Sequence, residues 1–161
     1  PLMKANLNDL LKVFLDLDIE FVIIGGFAAA LHGSSMVTRD LDLCFALTPE
    51  HIDKLRKALK DLHPKLRITP KKLSFLEHPK TNKGFNNLYL ETDLGIVDIV
   101  SQVTGVGGFD VVLGKAKTIE LFGHNVKIIS IDQLLASKKA MGRPKDLAVV
   151  EELETIMGLK P

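Results

Sequence analysis

The sequence predicts an α/β (α+β) fold: a small mixed, mostly antiparallel sheet with flanking helices and a C-terminal helical pair. Three observations predict it. Helix-like and strand-like hydrophobic periods alternate along residues 1–130. The strand-like runs are short and bounded by Gly, Pro, Asn and Asp, as turns require. From Ile131 onward the pattern is helical only, so residues 1–130 read as an α/β core and 131–161 as C-terminal helices of one domain.

The elements follow in order. Asn6 is a good N-cap, and Leu7, Leu10, Leu11, Phe14 and Leu17 recur at helical spacing behind it. Phe21 to Ile24 is an apolar strand that stops at Gly25-Gly26; Phe27 to Leu31 reads as a short helix closed near Gly33. A polar loop with Ser34, Ser35 and Thr38 leads into a strand over 40–45. Thr48 caps, and Pro49 opens, an amphipathic helix to about Leu62. Residues 63–84 are basic and rich in Pro and Lys, irregular apart from one strand around 73–76. Asn87 to Glu91 and Ile96 to Val100 form two strands about a turn at 93–95. Gly105 to Gly108 reads as a mobile loop, and a hairpin over 118–129 turns at Gly123. Helices over 132–140 and 144–157 flank Gly142-Arg143-Pro144.

Composition narrows the function classes. The 161 residues are 46% hydrophobic and 25% charged, ordinary for a globular domain. The single cysteine, Cys44, excludes a disulfide framework and a structural zinc site. No secretory signal pattern and no membrane-length apolar run stand out, so the expectation is a cytoplasmic protein without a membrane partner. A net charge of +1 announces no polyanion.

The chemistry lies in the acids. On a strand, Asp40 and Asp42 of Asp40-Leu41-Asp42-Leu43 share a face while the leucines enter the core. At ~4 Å and an effective dielectric near 20, two such charges repel by about 4 kcal/mol, which solvation, protonation or a bridging cation must relieve. Asp98 interrupts the apolar run Ile96-Val97-Asp98-Ile99-Val100, where an unpaired charge is costly. If the strands adjoin, three carboxylates converge as around Mg²⁺, one ion or two, able to activate an attacking oxygen and stabilise a leaving pyrophosphate. The alternative is a solvated or salt-bridged pair with a turn-capping Asp98. Gly25-Gly26, between strand and helix, fits either a simple turn or backbone N–H groups offered to phosphate.

Phe21 to Gly26, a short helix, a polar loop and Thr38-Arg39-Asp40-Leu41-Asp42-Leu43 together resemble the signature of the polymerase-β-type nucleotidyltransferase superfamily, with Asp98 of Val97-Asp98-Ile99 as the third acid. Leu134-Leu135-Ala136-Ser137-Lys138 and Gly142 to Leu147 resemble later motifs of its AbiEii-type toxin branch. The resemblance runs from Phe21 to about Leu153, leaving 63–84 unmatched. It implies a nucleotidyltransferase-like fold and transfer of a nucleoside monophosphate from an NTP. Asp40, Asp42 and Asp98 would be the catalytic, metal-binding residues, and Gly25, Gly26, Ser34, Ser35, Arg39 and Lys138 the nucleotide contacts. The acceptor stays open among RNA such as tRNA, a protein and a small hydroxylated molecule, with an antitoxin partner in the toxin-like case. A catalytically silent nucleotide- or partner-binding module on the same fold is the competing expectation.

Members often carry an arginine four residues before the first acid; this chain has Met36. Arg39 turns to the opposite side of the strand by alternation. Ser34 and Ser35 also fit plain turn formers, and Lys138 a helix-flank lysine. Arg143, Lys145 and Asp146 fit an ion pair or cap as well as a site. His32 reads as structural and Cys44 as core. Lys65, Arg67, Lys71 and Lys72 read as a solvated face, with an RNA contact as the alternative.

Overall fold

The computed structural model describes residues 6–82 and 84–159; residues 1–5, Lys83 of the basic segment and the last two residues of 131–161 lie outside it. The chain runs α1 (Leu7–Leu15), β1 (Val22–Ile24), α2 (Gly25–Leu31), β2 (Asp40–Cys44), α3 (Pro49–Leu59) with a 3-10 turn at Lys60–Leu62, and β3 (Lys65–Leu66). It continues through β4 (Asn87–Thr92), β5 (Gly95–Val100), β6 (Gln102–Val103), β7 (Gly107–Gly108) and α4 (Phe109–Lys115). Then come β8 (Lys117–Leu121), β9 (His124–Ile128), α5 (Ile131–Met141) and α6 (Pro144–Ile156).

The local chemistry behaves as the sequence predicts at Asn6 and Thr48, and Ser130 adds a third cap of the same kind. Asn6 accepts from the Asp9 N–H, Thr48 from His51 and Ser130 from Gln133, each satisfying an orphan donor of a first helical turn. Leu10, Leu11 and Phe14 of α1 are buried, and Phe14 meets Phe21 edge-on at 6.3 Å.

One seven-stranded sheet runs in the order β3-β4-β5-β2-β1-β9-β8, and β6 pairs only with β7. Pairings within it are antiparallel except β2 with β5 and β1 with β9. The sheet is therefore mixed and mostly antiparallel, as expected. Alternation sorts its central strands: Leu41, Leu43, Val97, Ile99 and Leu90 are fully buried, while Asp40, Asp42 and Asp98 between them face a cleft. Each such leucine, fully removed from water, contributes on the order of 1.5–3 kcal/mol. Helices α5 and α6 pack on each other, and α5 also meets α2. Among the described residues no helix is long and apolar enough to cross a membrane.

Four local expectations are corrected. Helix α2 begins at Gly25 rather than Phe27, so both glycines form its first turn. The strand expected over 73–76 does not form; Lys65–Leu66 pairs with β4 instead, and Ser74 contributes one isolated bridge to Lys65. The Gly105–Gly108 region is the turn and return strand of a small hairpin. Helix α4 was not anticipated: it has seven residues, and its apolar face of Phe109, Val112 and Leu113 is too short to repeat.

Candidate active site

The parallel pairing of β2 and β5 sets Asp42 opposite Asp98, and the antiparallel pairing of β4 and β5 sets Tyr89 opposite Asp98. Ile24, the residue before Gly25, stands opposite Asp42 on the other side. One row across the sheet thus reads Tyr89–Asp98–Asp42–Ile24, with Asp40 two residues along β2 on the same face. Asp40, Asp42, Asp98, Gly25, Tyr89, Lys138, Arg143 and Lys145 line one cleft of about 360 Å³. The three acids named from the sequence do converge.

Their convergence has an electrostatic cost. Burial, then the charges of Asp98 and Asp40, push the Asp42 carboxyl up to about 6, against a smaller pull from Lys138 and Arg67. Burial also raises Asp98, although Arg67 opposes it. Gly25 has φ +64°, and a Cβ there would overlap Asp42 Oδ2, so only glycine fits against that carboxylate.

Arg67, read from the sequence as part of a solvated face, instead turns into the site and pairs with Asp98. Its Nη2 donates to both Asp98 oxygens, at 2.7 and 2.6 Å, and its guanidinium lies 5.7 Å from the Tyr89 ring centroid. Its N–H bonds the Tyr89 carbonyl, extending the row by one residue: Arg67–Tyr89–Asp98–Asp42. Among the described residues the buried Arg67 Nε has no hydrogen-bond partner. The available signal was faint, an apolar Leu66 between basic residues on a strand too short to show a period. Among the described residues no three His, Cys, Asp or Glu side chains are grouped as metal ligands, and both Asp98 oxygens are engaged by Arg67.

The cations come from the C-terminal pair. Asp146 is 1% exposed; its carboxylate takes Arg143 N–H at 3.2 Å, Arg143 Nε at 2.6 Å and Lys138 Nζ at 3.5 Å. Burial alone would raise Asp146, but Arg143 and Lys138 hold it below the usual carboxylate range. Asp146 therefore caps α6 and at the same time anchors two cations beside the acids. A smaller lobe of about 180 Å³ joins Gly26, Thr38, Met36 and Asp40 to Lys138, Arg143 and Lys145.

The other sequence candidates lie elsewhere. Ser34 and Ser35 donate their hydroxyls to Glu152 of α6, Ser35 at 2.6 Å, and line neither cleft. Arg39 is exposed and lines neither. His32 Nε2 lies 2.7 Å from the Ile129 carbonyl, and buried Cys44 has its thiol pushed up to about 11 by burial. Lys72 pairs with Glu91 at 3.1 Å.

No protein-family model and no curated protein matches the sequence. Solved structures do match the fold. The lincosamide antibiotic adenylyltransferase LnuA, bound to lincomycin, is 19% identical, with 93% of this chain and 95% of that one covered at a TM-score of 0.64. An antigenic nucleotidyltransferase-like protein from Paracoccidioides brasiliensis is 17% identical over 99% of this chain and 78% of its own, TM-score 0.59. ANT(2'')-Ia in complex with adenylyl-2''-tobramycin is 14% identical over 95% and 88%, TM-score 0.58. With its mixed sheet and flanking helices, this chain has the nucleotidyltransferase fold.

Proposed function

We propose that the chain is a nucleotidyltransferase that moves a nucleoside monophosphate from an NTP to an acceptor hydroxyl, releasing pyrophosphate. The observation that carries the reading is the convergence of Asp40, Asp42 and Asp98 on one cleft, with Lys138, Arg143 and Lys145 lining it. Oxygen-only donors short of counter-charge suit a hard divalent cation, and Asp42, pushed up to about 6 by burial and by its acidic neighbours, is such a donor. Asp40 and Asp42 would hold Mg²⁺, as one ion or two, and Asp98 would join them once Arg67 releases it. The bound ion would neutralise phosphate charge and polarise the reacting oxygens.

The chain's own residues do the rest. Gly25 and Gly26 open the floor for close approach of phosphate. Lys138 and Lys145 supply positive charge toward the triphosphate, while Asp98 draws the proton from the acceptor hydroxyl. An NTP donor supports a cytoplasmic site of action. Two structural neighbours are named for antibiotic substrates or products, which favours a hydroxylated small molecule as acceptor. A toxin-like role on tRNA or protein, with an antitoxin partner, rests on the AbiEii-type motifs alone.

A second reading has one observation behind it: with Arg67 fixed on Asp98, the scaffold is catalytically silent and serves to bind a nucleotide or a partner. Pyrophosphate release from each NTP with Mg²⁺ separates the two. The enzyme reading expects release by the native chain and a loss on the order of 10²-fold or more in Asp98→Asn. Release that Asp98→Asn leaves unchanged, or none by the native chain with any acceptor pool, contradicts it.

A further inference from the structure

The acids stand between an ionic space and a neutral one. The 180 Å³ lobe on the α6 side carries both signs, Lys138, Arg143 and Lys145 against Asp40, Asp42 and Asp146. A third cleft, of about 560 Å³, opens on the Asp98 side; Asn86, Asn87, Ser101, Gln102 and Thr104 supply its polar lining. Gln102, Val103 and Thr104 line this cleft and the central one alike, so the two are continuous. None of its lining residues is ionisable.

The backbone explains its position. Asn87 pairs with Val100, one step beyond the Tyr89–Asp98 pair on the same face. The chain then passes through Ser101 into the β6–β7 hairpin, which walls the cleft. That hairpin is pinned: Gly105 has φ +76°, and a Cβ there would lie 2.6 Å from the Ala140 Cβ of α5.

We infer, on the nucleotidyltransferase reading above, that this cleft is the acceptor subsite and that its ligand is an uncharged, hydroxyl-bearing small molecule. A triphosphate belongs where Lys138, Arg143 and Lys145 stand, which leaves the neutral side for the acceptor. Side-chain amides and hydroxyls pair with sugar-like hydroxyls as donors and acceptors alike. A phosphate-bearing acceptor would need cations there, and a polyamine carboxylates; a charge desolvated without either is penalised. The volume falls in the range of roughly 300–1,000 Å³ that holds small ligands. Of the basic segment, Arg67 is committed to Asp98 and Lys72 to Glu91, which takes two of its cations away from a phosphate backbone. In the reaction the acceptor oxygen forms a bond to the α-phosphorus, and the bond from that phosphorus to the bridging oxygen breaks. Pyrophosphate leaves with the electron pair, and the hydroxyl proton passes to Asp98 and on to solvent.

The test uses the full chain with Mg²⁺ and α-phosphate-labelled NTPs. Acceptors are a cell extract separated by ion exchange into uncharged, cationic and anionic small-molecule pools, total protein, and total tRNA. Label should enter a product from the uncharged pool, and that pool should shift the amide resonances of Gln102 to Gly107. Gln102→Ala should raise KM for that acceptor about 2- to 10-fold, the worth of one hydrogen bond, and leave KM for the NTP unchanged. Label on tRNA, protein or a charged pool overturns the inference, as does an uncharged pool that neither shifts those amides nor takes label. If an NTP with Mg²⁺ still shifts Gly26 and Lys145 in that last case, only the acceptor assignment has failed. If no NTP shifts them, the nucleotide reading falls and this inference falls with it.

Discussion

Asp42 is held ionised against three opposing influences: burial, Asp98 and Asp40. Its folded value lies above its unfolded one, so the native state binds the proton more tightly. The resulting destabilisation is absent below about pH 4 and fully present above about pH 6. The rise from 3.8 to about 6 corresponds to at most ~3 kcal/mol. Asp42→Asn should therefore unfold at higher urea than the native chain at pH 7.5, by about 1–3 kcal/mol, and converge with it near pH 4. Equal midpoints at pH 7.5 would contradict the electrostatic account. Arg67 stands in the opposite position. Its partner Asp98 has a side chain 17% exposed, and Arg67→Gln strands that charge, so a loss on the order of 1–3 kcal/mol is expected at pH 7.5. If Arg67 also blocks Asp98 from a cation, Mg²⁺ should stabilise Arg67→Gln more than the native chain; an equal Mg²⁺ shift in melting would remove that role.

Elements matter here through their ends. Helix α2 can start against Asp42 only because its first residue is Gly25, so Gly25→Ala must move the helix start or the carboxylate. A loss of about 1–3 kcal/mol in urea unfolding is expected from the left-handed backbone, with loss of NTP binding. At the start of α6, Asp146→Ala would uncap the helix and remove the carboxylate paired with Lys138, which is 8% exposed. That variant should lose on the order of 3–5 kcal/mol. Since Asp146 titrates below its usual range, the stability it gives is present above about pH 4 and lost as pH falls through its folded value. Stability of the native and Asp146→Ala chains should therefore converge in acid.

The same elements show what could be read in advance. Strand β2 was legible because Leu41 and Leu43 alternate with two acids, and β5 because one acid breaks an apolar run. Caps Asn6 and Thr48 act within three residues of themselves, so local chemistry specifies them. The partners of Asp98 and of the Ser34–Ser35 loop are not local: Arg67 is 31 residues away in sequence and Glu152 at least 117. Such pairings depend on sheet order and helix placement, which no periodicity encodes. Strand β3, two residues long, has no period to read.

Across the whole molecule, the site draws on both halves of the chain. The sheet supplies the acids, the β6–β7 hairpin a neutral wall, and α5 with α6 the cations. The central claim is that this assembly binds a metal–NTP complex through Asp42. The direct measurement is thermal unfolding of the native chain and Asp42→Asn with each NTP, with and without Mg²⁺. Ligand at 100-fold over its dissociation constant stabilises by about 2.7 kcal/mol, roughly 5–10 °C for a domain of this size. The account predicts a Mg²⁺-dependent rise in the native chain with at least one NTP, absent from Asp42→Asn even though that variant starts from a higher melting point. No rise with any NTP, or an equal rise in both proteins, would contradict it.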